Sequence, residues 1–144
     1  PASVAFIPHR ELFTAFRQRP NFGLAVWRET LLDAAIFREA ITNNSARPMQ
    51  ARMAHLFCEL FYRARAAQLV RGNRCPLPIS LAQLGETLGM AIATVNRTLG
   101  ELRRSGAMDL REGELIVLKW RDLQRLGDFS PVYLHQKRQS PPLA

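Results

Sequence analysis

The chain has 144 residues, enough for one compact unit with an extended helical arm and too few for a second, catalytic domain beside it. Lys and Arg number 20 against 12 Asp and Glu, giving a net charge of +8, and this favours a polyanionic partner, nucleic acid before membrane surface. No stretch approaches the roughly 18 uninterrupted apolar residues of a spanning helix, and residues 1–10 lack the basic start, apolar run and cleavage site of a secretory signal, so a soluble, cytoplasmic protein without membrane contact is expected.

Prolines at positions 8, 20, 48, 76 and 78 punctuate segments whose apolar residues recur mostly at helical spacing. Residues 3–7 read as a short strand ended by Pro8, and residues 11–18 as a short helix carrying Leu12, Phe13 and Phe16. From Asn21 to about Thr42 the spacing predicts a long helix. Along it Leu24, Trp27, Leu31, Ala34, Arg38 and Ile41 step by three and four, as in a coiled-coil seam, while Val26, Leu32, Ala35 and Ile36 fall on other faces. A helix apolar on more than one side needs cover on more than one side. The expectation is a parallel homodimer, with a central core helix of a monomer as the competing reading.

Residues 42–45, Thr-Asn-Asn-Ser, are expected to end that helix, and Pro48 to open the next. Met49, Met53, Leu56, Phe57, Leu60 and Phe61 give the second helix one apolar face, running to about Val70 and including the core thiol of Cys58. A basic loop follows, Arg71-Gly72-Asn73-Arg74, with Pro76 and Pro78; Cys75 within it has no assigned role.

Ser80-Leu81-Ala82-Gln83 has the pattern of a capping box and starts a short helix with Leu81, Leu84 and Leu88 inward. Gly85 allows a close crossing, and Gly89 supplies the positive φ that turns the chain. A second helix is expected from about Ile92 to Arg104, with Val95, Leu99 and Leu102 inward, ended by Ser105-Gly106. Residues 107–110, a turn at 111–113 and residues 114–118 then read as a β-hairpin. Two helices joined by a glycine turn read as a helix-turn-helix, with an ordinary helical hairpin as the competing reading, and the β-hairpin that follows, placed as a wing, favours the former. The inward set leaves Ala93, Thr94, Asn96 and Arg97 facing outward. Arg97 suits guanine O6 and N7, Asn96 adenine or a phosphate, and the Thr94 methyl a thymine methyl. Ser80, Arg103, Arg104 and Arg111 are the expected phosphate or wing contacts, with Glu101 or Asp109 as rival partners for Arg103 and Arg104.

His9, His55 and His135 lack ligand spacing, and two cysteines fall short of a disulfide framework or the about four ligands of an iron-sulfur cluster, so neither metal nor cofactor is expected. Glu101 and Asp109 are accompanied by no cluster of Ser, His or Cys, and no catalysis is expected.

The segment Ala51 to Leu118 resembles the Crp/Fnr family of transcription regulators, with the likeness extending forward to Val4. Residues 52–60, Arg-Met-Ala-His-Leu-Phe-Cys-Glu-Leu, look like the helix that follows the family's dimerisation helix. Leu77-Pro78-Ile79-Ser80, Leu84-Gly85, Leu88-Gly89-Met90, Thr94-Val95-Asn96-Arg97-Thr98-Leu99 and Leu102-Arg103-Arg104-Ser105-Gly106 look like its winged helix-turn-helix. The resemblance implies a mainly α fold with a small β-hairpin, divided into the end of a sensor domain (1–19), a dimerisation helix (20–45) and a DNA-binding domain (46–144). It also implies a homodimer on a palindromic duplex with half-sites about 34 Å apart, and RNA polymerase as a partner if the protein activates. A sensor domain would precede these residues, of which Val4 to His9 resemble only the closing segment. Ala93 stands where many members carry glutamate, Ala91 where they carry a polar cap, and Thr98 where they carry an aliphatic residue. An alanine cap costs about 1 kcal/mol of helix stability. The alternative is a chain that pairs with intact relatives and titrates them.

Overall fold

The computed structural model describes residues 3–135; the remaining positions of the proposed first and last divisions, 1–2 and 136–144, lie outside the described residues. Helix α1 (His9–Gln18) follows Pro8 and lays Phe16 against Phe22 and Gly23 at the start of α2 (Pro20–Ala46). Residues 3–7 are exposed and form no strand, contrary to the short strand expected there. An extended segment becomes a strand only by pairing with an edge, and the sheet described below takes its three strands from elsewhere.

Helix α2 spans 27 residues, about 40 Å at 1.5 Å per residue. It runs through residues 42–45 and does not break there. Thr42 Oγ1 and Ser45 Oγ donate to the carbonyls of Arg38 and Ile41 at 3.2 and 2.7 Å, so these hydroxyls bond within the helix and do not compete with it. The helix ends at Arg47, which adopts an extended conformation because Pro48 follows. Helix α3 (Met49–Ala66) stops short of the expected Val70, where Gln68 takes a left-handed φ of 59° and the Leu69 amide donates to the Ala64 carbonyl.

The described residues that follow α3 pack around its apolar face, where Met53, Ala54, Phe57, Cys58 and Phe61 are buried. Strand β1 (Arg74–Pro76) falls within the segment read as a basic loop, and it buries Cys75. It pairs antiparallel with β3 (Glu114–Val117), which pairs antiparallel with β2 (Met108–Arg111), in the order β1-β3-β2. Pro76 is tolerated because β1 is an edge strand. Glu112 and Gly113 link β2 to β3 with φ of 53° and 73°, the two positive values of a type I′ turn, whose twist matches that of the strands it joins. Between β1 and β2 lie α4 (Leu81–Leu88) and α5 (Ile92–Arg104).

Two elements had no counterpart in the sequence reading. Helix α6 (Trp120–Leu126) and a 3-10 turn (Pro131–Leu134) fold back onto α3 and α2, with Trp120 against Phe61 and Phe129. The approach to α3 is close: a Cβ on Gly127 would stand 2.6 Å from the His55 amide nitrogen.

Candidate nucleic-acid interface

The α4–α5 pair is shaped by three local devices. Ser80 Oγ accepts from the Gln83 amide at 3.1 Å while Gln83 Oε1 accepts from the Ser80 amide at 2.9 Å, so the expected capping box is present. Gly89 closes α4 at φ 63°, ψ 41°. At Gly85 a Cβ would meet the Met90 carbonyl oxygen at 2.6 Å, so only glycine lets the turn return over α4. Ala91 starts α5 without a side-chain cap.

On α5 the buried residues are Val95, Thr98, Leu99 and Leu102. Thr98 is 2% exposed, so the hydroxyl-bearing side chain occupies an inward position. Ala93, Asn96 and Arg97 are exposed and Thr94 is half-buried. Among the described residues, Asn96 and Arg97 have no side-chain hydrogen bond or ion pair, in a chain where most arginines do.

The expected phosphate contacts differ from one another. Ser80 is exposed just before α4, and Arg104 is exposed with one side-chain bond among the described residues, 3.3 Å from Nε to the Gly100 carbonyl. Arg111 lies at the tip of the wing, its Nε 3.5 Å from Asp109 Oδ2. Arg103 is committed within the chain: Nε donates to Asp109 Oδ1 at 2.9 Å and Nη2 to the Leu110 carbonyl. The rival partner Asp109 is therefore present, and it holds the helix to the wing.

Two residues that sequence reasoning missed fix the unit against the rest of the chain. Arg52 Nη1 donates to the Leu88 carbonyl at 3.1 Å and Asn44 Nδ2 to the Thr87 carbonyl at 3.2 Å, so α3 and α2 both cap the last turn of α4. Buried Asn43 adds a bond from Nδ2 to the Arg52 carbonyl at 3.1 Å. The one available signal was a cation inside the otherwise apolar Met49 and Met53 stripe.

Behind this joint lies a buried polar cluster. His55, 2% exposed, has Nδ1 3.0 Å from the Gly127 carbonyl and Nε2 3.4 Å from Glu39 Oε1. Tyr133 donates its hydroxyl to Glu59 Oε2 at 2.7 Å, and Arg47 Nη1 meets Glu39 Oε1 at 2.8 Å. Burial, followed by the Arg47 guanidinium, lowers the His55 pKa, while burial and the Glu59 carboxylate raise that of Tyr133. Burial likewise raises the pKa of the Cys58 and Cys75 thiols.

Along α2, Leu24, Trp27, Leu31 and Ile41 are exposed by 59, 62, 53 and 69% in the single chain, Arg38 is exposed and Ala34 half-buried. Ala35 is buried and Ile36 packs on the core. The own-chain face and the heptad seam are thus different sides of the helix. No helix among the described residues is long and apolar enough to cross a membrane.

Residues 51–126, from α3 through α6, match the family model of the Crp-like helix-turn-helix domain. The chain belongs to the Crp/Fnr family. The matched region is the helix-turn-helix through which regulators of this family bind DNA. Among solved structures, FixK2 from Bradyrhizobium japonicum superposes with a TM-score of 0.72 at 19% identity, over 83% of this chain and 59% of FixK2. CprK in complex with OCPA, as a cysteine-to-serine variant, gives 0.62 at 25% identity, over 81% of this chain and 53% of CprK. The chain thus spans little more than half the length of these Crp/Fnr neighbours. No curated protein matches the sequence.

Proposed function

We propose that the chain is a sequence-specific, non-catalytic regulator that pairs with a second copy through α2 and sets one α5 into each major groove of a palindromic site. The observation that carries this reading is the polar face of α5, where Arg97 and Asn96 are exposed and without a side-chain partner among the described residues, on a helix whose other side is buried. In the proposed complex Arg97 forks to guanine, Asn96 pairs with adenine or a phosphate, and Thr94 presents its methyl to thymine. Ser80, Arg104 and Arg111 meet phosphates, with Arg103 between α5 and the wing. Leu24, Trp27, Leu31, Ala34, Arg38 and Ile41 form the seam between copies. The corresponding divisions are 1–19, 20–45 and 46–144, the site of action is the cytoplasm, and an activator of this kind would also touch RNA polymerase. Random-site selection with purified protein at fixed salt tests the reading. A dyad-symmetric site with half-sites about 34 Å apart supports it, and equal affinity for every duplex defeats it.

A second reading has the seam as its own support. With Leu24, Trp27, Leu31 and Ile41 all more than half exposed and Ala91 leaving α5 uncapped, the chain would act by forming heterodimers with intact relatives. Co-purification of a partner with weak duplex binding by the chain alone would favour this alternative.

A further inference from the structure

Asp109 is a carboxylate placed between two arginines of the surface that the previous reading turns toward DNA. It is the second residue of β2, on the strand that leads to the wing turn, with its side chain 28% exposed. One oxygen, Oδ1, accepts from Arg103 Nε in the last turn of α5 at 2.9 Å. The other, Oδ2, lies 3.5 Å from Nε of Arg111, the final residue of β2. Arg103 closes the arrangement by donating Nη2 to the Leu110 carbonyl between them. The wing turn is also pinned from its far side, where the Leu77 amide donates to the Gly113 carbonyl at 2.7 Å.

A negative charge here repels phosphates, so simple electrostatics gives it no place on this face. We infer that Asp109 is a positioning residue: by holding Arg103 and Arg111 on its two oxygens it locks the wing to the end of the recognition helix, so that both meet the duplex as one surface. Arg103 is then a strut and not a phosphate ligand, and Arg111 carries the wing's phosphate contact. The inference rests on the reading of α5 and the wing as the DNA-contacting face.

The two views give opposite signs. The full chain is titrated with its selected site and with random duplex across about 50 to 200 mM salt, and the slope of log K against log salt is read for each variant. Asp109→Asn should weaken both duplexes several-fold and make the slope shallower by about one per half-site, because Arg111 leaves its phosphate. Adding Asp109→Asn to Arg111→Ala should change little further. Asp109→Glu, which keeps the charge, should restore part of the loss. Arg103→Lys keeps its positive charge and should still flatten the slope, which a direct phosphate contact would not do. If Asp109→Asn melts early, Arg103→Lys alone decides the matter. Tighter binding with a steeper slope for Asp109→Asn, or an unchanged slope for Arg103→Lys, would overturn the inference. Failure of the parent chain to bind either duplex would instead overturn the DNA-facing reading on which it depends.

Discussion

Arg97 is exposed and has no side-chain partner among the described residues, so its replacement is informative. Arg97→Ala should cost about 1–3 kcal/mol on the selected site and relax one base-pair position, with a smaller loss on random duplex. Competition binding at fixed salt checks this; an equal loss on both duplexes would make Arg97 a phosphate contact. Arg52→Ala removes the bond to the Leu88 carbonyl from the last turn of α4. A loss of about 1–3 kcal/mol in chemical unfolding is expected, together with weaker binding of all duplexes, because no base contact is touched. The outward set on α5 was legible because Val95, Leu99 and Leu102 fix the phase of the helix. The partner of Arg103 was narrowed only to two carboxylates, since the choice depends on how the chain reverses after Gly106. The role of Arg52 was not legible at all. It depends on α4 returning to α3 across 36 positions, a separation over which periodicity carries no information.

Each element was legible to the extent that its own sequence provides its stabilisation. The capping box and the glycine turn are local, and both have the expected geometry. The strand expected at residues 3–7 failed because an extended segment supplies no partner edge of its own. Strand β1 was obscured by Pro76, yet it exists because β3 provides that edge. Helix α6 is only seven residues long and depends on Trp120 and Leu123 docking on α3, so little in its own pattern announces it. The glycines give a comparison. Gly89→Ala places a Cβ in open space at a left-handed φ and should cost about 1–2 kcal/mol. Gly85→Ala meets backbone at 2.6 Å, forces α4 and α5 apart, and should cost a similar about 1–3 kcal/mol while lowering duplex affinity more. Urea unfolding and gel shift on the two variants separate these effects. On α2, Leu31→Asp puts a charge in the proposed seam and should shift sedimentation toward the single chain without lowering the melting temperature of that species. An unchanged mass would remove Leu31 from the seam.

For the molecule as a whole, the buried cluster around His55 ties the end of α2, the linker at Arg47, α3 and the 3-10 turn into one body. The folded state lowers the His55 pKa below its ordinary 6.5. As pH falls through that ordinary value the unfolded chain takes up the proton first. Stability is therefore full above about 6.5 and declines below it, until the folded protein protonates as well. The melting temperature should fall between about pH 7.5 and pH 5.5, and His55→Gln should flatten that decline. A parent curve already flat in this range would mean that protonated His55 is accepted in place. The bonds from Asn43 and Asn44 to Arg52 and the Thr87 carbonyl have a mechanical consequence. They make α2 a stiff lever of about 40 Å welded to the base of the reading head. In the proposed dimer, a change of about 5° in the angle between the two levers alters the separation of the two heads by about 3.5 Å, close to the 3.4 Å step between successive bases. In such a pair the gap between half-sites is read through the angle between the levers, and binding to the selected site with one base pair inserted at its centre tests how stiffly that angle is held.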